Sequence, residues 1–194
     1  MQEYLFNSDL INFDHPSIQP LAQELSKDLT NDLQIARNCF NYVRDEINHS
    51  GDHKDAVTTC IASDVLLHQT GWCYAKSHLL AALLRANKIP TGFCYQRLSI
   101  SGSGAPYSLH GLNAIYLKEF GWYRADARGN KEGVNAQFDP PQEQLAFAIN
   151  DPEQEYDFPE IYAEPLGIVR QALFEHKSYD AIVDNLPDLI ISKG

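Results

Sequence analysis

Apolar residues recur at helical spacing between positions 31 and 47. Leu33, Ala36, Phe40, Val43 and Ile47 fall three or four apart and predict one strong helix, with Asn31 and Asp32 as its polar start. A shorter helix is expected over 17–29, after Pro16. Residues 48–59 are polar and include a glycine, so a loop is predicted there. Ser63 and Asp64 can cap a short helix through Leu67, before a turn at Gly71. A further helix spans 73–86, with Leu79, Leu80, Leu83 and Leu84 as its buried face. Pro90 prevents its continuation.

Past Pro90 the pattern becomes that of strands. Residues 92–100 are rich in β-formers, and 101–106 read as a flexible loop. Residues 107–117 and 121–127 predict a hairpin around Lys118-Glu119-Phe120. If Leu117 faces Gly121, Asp126 falls opposite Leu112 and His110 projects from the same face one diagonal step away. Diagonal neighbours lie about 7–8 Å apart, within side-chain reach. The remainder is more irregular: Phe138-Asp139-Pro140-Pro141 reads as a breaker, 145–149 as a strand, and 169–174 and 181–186 as short helices. The acidic stretch from Asp151 to Glu160 reads as a solvated surface. Helices followed by an antiparallel sheet make the fold class α+β, in one domain over 1–194.

The chemistry sits between residues 71 and 126. Cys73 opens the fourth helical run, His110 lies on one strand of the hairpin, and Asp126 ends the other. A thiol at a helix start, an imidazole and a carboxylate are the three groups a cysteine nucleophile needs. The sulfur attacks, the imidazole moves its proton, and the carboxylate fixes the imidazole tautomer. The unpaired N–H groups and dipole of a helix start favour an anionic sulfur. Cys39 and Cys94 fall in helix and strand patterns and read as small core residues, and Cys60 falls in a loop. His49 and His53 stand four apart in a polar segment that supplies no further ligands at a familiar spacing. No metal and no cofactor are expected.

Trp72-Cys73, the run from Leu79 to Ala86 followed by Ile89-Pro90, His110 with Asn113-Ala114, and Gly121 to Ala127 together resemble the transglutaminase-like superfamily. The resemblance covers roughly residues 33 to 130, with three motifs in the family's order. Asn87-Lys88 stands before Ile89 where the family often has a glycine, and Asn tolerates the left-handed conformation. The resemblance implies a papain-like core with the nucleophile at a helix start packed on an antiparallel sheet. It also implies Cys73 as nucleophile, His110 as general base and Asp126 as the orienting acid. The loop after the first long helix, at Asn48 and His49, often approaches the nucleophile in that family.

The reaction expected is acyl transfer on an amide or isopeptide bond through a thioester, with hydrolysis as the first choice because no extra domain is present. Transfer to an amine, an arylamine N-acetyltransferase-like reaction and a catalytically silent binding scaffold stay open. Substrates expected are a peptide, a protein or a small amide, with Tyr95, Gln96, Arg97 and the 101–106 loop as candidate contacts.

Composition narrows the partners. The chain has 194 residues, 44% of them hydrophobic and 21% charged, which suits a globular protein with one core. A net charge of −11, with scattered Lys and Arg, argues against nucleic acid. The N-terminus lacks the basic flank and apolar run of a signal peptide, and no stretch is long enough to span a membrane. A cytoplasmic protein with reduced thiols is expected.

Overall fold

The computed structural model describes residues 1–191. The N-terminal half is helical, with α1 (Ile18–Leu25), α2 (Asp32–Glu46), the two-residue strand β1 (Asn48–His49), and α3 (Ser50–His53). It continues through α4 (Ala62–His68), strand β2 (Thr70–Gly71) and α5 (Cys73–Ala86). The Asn31 side chain accepts from the Leu33 and Gln34 amides at 2.8 and 3.3 Å, closing the start of α2 as its sequence requires. Ser63 and Asp64 do not cap α4; they lie inside its first turn. The cap comes from Asn12, 51 residues earlier, whose Oδ1 accepts from the Ser63 amide at 3.2 Å. The loop expected over 48–59 is interrupted by β1, which pairs in parallel with β2, bringing His49 opposite Gly71.

Helix α5 occupies the bounds expected of it, and it is buried from Cys73 to Arg85, not on one face only. It packs against α1, α2 and α4 on one side and against the sheet on the other. A helix apolar nearly all round belongs in a core. Its polar side chains must then find partners inside the protein. Lys76 reaches the carbonyls of Ile47 and Arg44, and His78 Nδ1 bonds the Cys60 carbonyl at 2.7 Å. Arg85 donates to the Thr91 carbonyl (2.9 and 3.1 Å), to Phe6 (2.8 Å) and to Ala163 (2.5 Å). Behind the helix, Lys88 and not Asn87 takes the left-handed conformation, with φ 61°. The Asn87 side chain instead binds the carbonyls of Leu83 and Ala22.

The sheet has the order β5-β4-β3-β8, from β3 (Thr91–Ser99), β4 (Tyr107–Leu117), β5 (Gly121–Ala125) and β8 (Tyr156–Asp157). Leu117 faces Gly121, so the hairpin has the register the three-residue turn implies. The strand expected over 145–149 is absent. Strands form earlier instead, as β6 (Gln137–Asp139) and β7 (Gln142–Gln144), with Pro140-Pro141 in their turn. Residues 145–149 cross the sheet's end, where the Ala146 amide binds a side chain rather than a neighbouring strand. Helices α6 (Gly167–Glu175) and α7 (Tyr179–Val183) follow. The second stops three residues short of its expected end, because Pro187 disfavours helical backbone at Leu186 and the chain runs on extended.

Among the described residues no helix is long and apolar enough to cross a membrane. The acidic stretch is not wholly solvated. Glu155 is buried and accepts from the amides of Ser99, Asn150 and Asp151, which fastens the 150–155 turn to the end of β3.

Replacing Arg85 by leucine removes the donors of the buried Thr91 carbonyl and of the part-buried Phe6 and Ala163 carbonyls at the end of α5. Each orphaned buried group costs about 1–3 kcal/mol, so a loss of roughly 2–5 kcal/mol is expected. Urea unfolding of the variant beside the parent, at equal m-value, measures it.

Candidate active site

Cys73 is the first residue of α5, with Trp72 as its N-cap. Its sulfur faces the middle of β4, and the Gly111 amide donates to Sγ at 3.4 Å. That approach depends on glycine. A Cβ built on Gly111 would stand 2.9 Å from Tyr74 Cδ1 and 3.2 Å from Tyr74 Cα, so any side chain would push the strand off the helix. His110 precedes Gly111 on the strand, and its Nε2 lies 2.7 Å from Asp126 Oδ2. The Cys73 sulfur acts electrostatically on the same imidazole, and with Nε2 taken by Asp126 it is Nδ1 that is left for the sulfur. Cys73, His110 and Asp126 are therefore brought together in the order thiol, imidazole, carboxylate.

Asp126 is fully buried just past the end of β5. Besides His110 it accepts from the Arg128 amide at 3.2 Å and the Ala146 amide at 3.0 Å. Burial alone would raise its pKa, but the His110 imidazole and these amides hold it below the usual carboxylate value. Burial likewise opposes charge on His110. The Asp126 carboxylate, and the Cys73 sulfur after it, outweigh that and raise the imidazole to about 10. Phe147 stands edge-on to the imidazole, with ring centroids 5.0 Å apart, and covers the pair. Burial pushes the Cys39, Cys60 and Cys94 thiols up to about 12.

The sulfur opens into a cavity of about 380 Å³. Trp72, Leu98, Leu109, Phe147 and Leu186 form much of its apolar lining, and Ser99, Ser101, Ser108 and Asn150 supply polar groups. His49 also lines it, with its ring edge-on to Trp72, as its place after the first long helix suggested. Burial, aided by the Arg128 charge, holds His49 well below the ordinary histidine pKa, so it is neutral. Beneath it, Arg128 binds Asp52 through two bonds of 2.6 and 2.8 Å, and Lys131 adds a third of 2.6 Å. Among the described residues no three His, Cys, Asp or Glu side chains gather as a metal-binding group.

Three of the sequence-based contacts are corrected. Tyr95 is buried and its hydroxyl accepts from the Leu166 amide, Gln96 binds Asp157, and Arg97 is held by Asp188 and the Gln154 carbonyl. Each has a partner within the fold, and none of the three lines the cavity. Of the 101–106 loop, Ser101 and Gly102 do line the cavity. Gly111, Phe147 and the Arg128–Asp52 pair were not singled out in the sequence. The His110-Gly111 dipeptide was a signal for the first. The other two come together only through folding of the irregular tail.

A helix start bearing a cysteine, set against a strand-borne histidine and a strand-end carboxylate, defines a papain-like α+β fold. A sequence model of the transglutaminase-like superfamily matches residues 19–127, and the chain belongs to that superfamily. Membership supports a cysteine-dependent enzyme. No curated protein matches the chain. Among solved structures, a provisionally assigned cysteine protease from Cytophaga hutchinsonii superimposes with a TM-score of 0.51 at 21% identity. That superposition takes in 64% of this chain and 40% of the other, so the chain spans well under half of that protein's length. A provisionally assigned protease from Parabacteroides distasonis gives a TM-score of 0.43 at 11% identity, over 67% of this chain and 28% of its own. At 21% identity the first likeness shows the fold alone, and the second adds nothing to it.

The coupled titration has a definite sign. His110 is raised, so its contribution to stability is complete below the unfolded imidazole pKa of about 6.5 and is lost as pH climbs through about 10. Asp126 is lowered, so its contribution is complete above about 4 and lost toward acid. The stability gap between the parent and Asp126→Asn is therefore expected to peak between those limits and shrink on both sides. Denaturant unfolding across pH 3–10.5 measures the gap.

Proposed function

We propose that this protein is a cysteine hydrolase that cleaves an amide or isopeptide bond through a thioester on Cys73. The observation that carries the reading is the placement of the helix-start sulfur, held by the Gly111 amide, beside the buried His110–Asp126 pair at a cavity of about 380 Å³. Sγ attacks the substrate carbonyl as a thiolate while His110 holds the proton. The Gly111 N–H and the helix start stabilise the sulfur before attack. The Cys73 backbone N–H, the first of the helix's unpaired donors, faces the developing oxyanion. As the C–N bond breaks, His110 gives its proton to the leaving amine, and a thioester remains. Water then adds to the thioester carbonyl, passes a proton to His110, and the acid leaves as the sulfur recovers its electron pair. Asp126 keeps Nε2–H of the ring fixed, so Nδ1 faces the sulfur throughout.

Water is favoured over an amine as acceptor by the serines and Asn150 around the cavity. Transfer to an amine requires that water be kept from the thioester, and these polar groups within the otherwise apolar lining hold water beside it instead. The apolar remainder of the lining suits a substrate with an apolar group beside the scissile bond.

Reactivity is the first check. Iodoacetamide at pH 6.5 should alkylate Cys73 much faster than Cys39, Cys60 or Cys94, as mapped by mass spectrometry. Equal labelling of all four in the folded protein contradicts the assignment.

Roles are separated by substitution. Against a labelled peptide library, Cys73→Ala and His110→Ala should each abolish product, whereas Asp126→Asn should retain a measurable rate, down by about 10⁴. Including excess primary amine decides the acceptor. Free acid as the main product supports hydrolysis, and amine-bearing product moves the reaction to a transglutaminase.

A further inference from the structure

The sheet leaves part of β4 uncovered beside the candidate nucleophile. Pairing with β5 ends at Asn113 and Ala125, so the edge over Leu109 to Gly111 has no neighbouring strand. Residues two apart on a strand present their N–H groups to the same side, about 7 Å apart. On that side the Gly111 amide donates to Cys73 Sγ at 3.4 Å, and the Leu109 amide donates to the Pro187 carbonyl at 2.7 Å. The acceptor at Leu109 belongs to the chain's own C-terminal segment. Leu186, one residue earlier, is part of the cavity wall with Leu98, Leu109 and Phe147.

We propose that the β4 edge at Leu109 is a subsite for the main chain of an extended peptide with an aliphatic side chain, and that Leu186-Pro187 occupies it as a built-in competitor. The proposal rests on reading the cavity as an acyl-transfer site. In this arrangement the peptide's aliphatic residue takes the place of Leu186, and the carbonyl of the next residue accepts from Leu109 N–H. Main-chain bonding to a free sheet edge supplies affinity, and the pocket beside it supplies selectivity. The Leu109 carbonyl is not available for this, being bound by the Tyr74 hydroxyl.

The segment is fastened outside the cavity. Arg97 grips Asp188 through bonds of 2.6 and 2.7 Å, and the Tyr156 hydroxyl meets the Leu189 carbonyl at 3.4 Å and the Ile191 amide at 3.1 Å. Leu189 and Ile191 pack on the core while Ile190 is exposed, the alternation of an added strand. A tethered occupant has a high effective concentration, so dilute peptide gains the edge only when the segment lifts. Lifting it breaks one ion pair, a few hydrogen bonds and a modest apolar contact, a local opening well below global unfolding.

The test uses the full chain and three variants: Asp188→Ala, Asp188→Asn, which keeps the side-chain shape, and Leu186→Asp with Asp188→Ala. Two readouts are followed, hydrogen exchange at the Leu109 amide and the rate of Cys73 alkylation by iodoacetamide. The added probe is a blocked synthetic peptide of sequence Asn-Leu-Pro-Asp-Leu-Ile, beside a control with aspartate in place of its first leucine. In the double variant, Leu109 exchange should rise about tenfold or more, with the Asp188 single variants between it and the parent. The leucine peptide should restore protection at both positions, and the aspartate peptide should not. Unchanged Leu109 exchange in the double variant, or equal protection by both peptides, overturns the proposal. Neither readout needs turnover. Peptide protection in a chain that forms no acyl-enzyme keeps the subsite and removes only the reaction.

Discussion

The candidate site depends on the absence of one side chain. Gly111 lets β4 lie directly on the first turn of α5, where a single methyl group would meet Tyr74 at 2.9 Å. A clash that close is relieved only by moving backbone, because Tyr74 is itself buried and its hydroxyl is tied to the Leu109 carbonyl. Cys73 precedes Tyr74 on the helix and His110 precedes Gly111 on the strand. Contact between Tyr74 and Gly111 therefore sets the separation of sulfur from imidazole. Hydrogen bonding between thiol and ring falls off steeply with distance, so a shift of a few tenths of an ångström at this contact would be felt in the chemistry.

The position of the helix is fixed in turn by its buried polar residues. An apolar helix in an apolar core can slide or rotate at modest cost, because dispersion contacts are individually weak and non-directional. Lys76, His78 and Arg85 remove that freedom, each meeting carbonyl groups from segments distant in sequence. Arg85 ties the helix end to the start of β3 through Thr91 and to the N-terminal and 163–164 segments. The Leu-Arg motif followed by Ile-Pro is thus a clamp on the far end of α5, and the register of the near end, where the sulfur sits, follows from it.

How much was legible in the sequence depended on the range of the contacts involved. Helix α5, β4 and the turn into β5 were legible to the residue, because Pro90, a three-residue turn and a run of leucines are local signals; β5 ends at Ala125, two residues short of the expected 127. That Cys73, His110 and Asp126 lie close together was legible for the same reason: each sits at an element's end or at a fixed offset from a turn. Three other features were not. The cap of α4 comes from Asn12, the β1–β2 pairing joins segments some twenty residues apart, and the apolar run at 145–149 matched a strand but folds over a carboxylate. Arg97 was misread because an exposed-looking cation on a strand gives no sign that Asp188 will meet it.

The irregular stretch after β5 has a physical reason to be irregular. A carboxylate buried without charge partners or donors would take up a proton and cease to orient the imidazole. Within a sheet, the amides on both flanks are committed to the ladder and none is free to donate to a side chain. Asp126 escapes this because the β4–β5 pairing stops at Ala125. Immediately beyond, the chain turns so that the Arg128 amide points back at one carboxylate oxygen. Twenty residues later it returns, and the Ala146 amide serves the other oxygen. That return also lays Phe147 on the imidazole and sets the Phe147 ring 5.5 Å from the Arg128 guanidinium. A regular strand over 145–149 would spend the Ala146 amide on a neighbour and turn Phe147 by the pleat of the sheet. Loss of regular structure there is what keeps the carboxylate charged, the imidazole covered and the sulfur supplied with a proton partner.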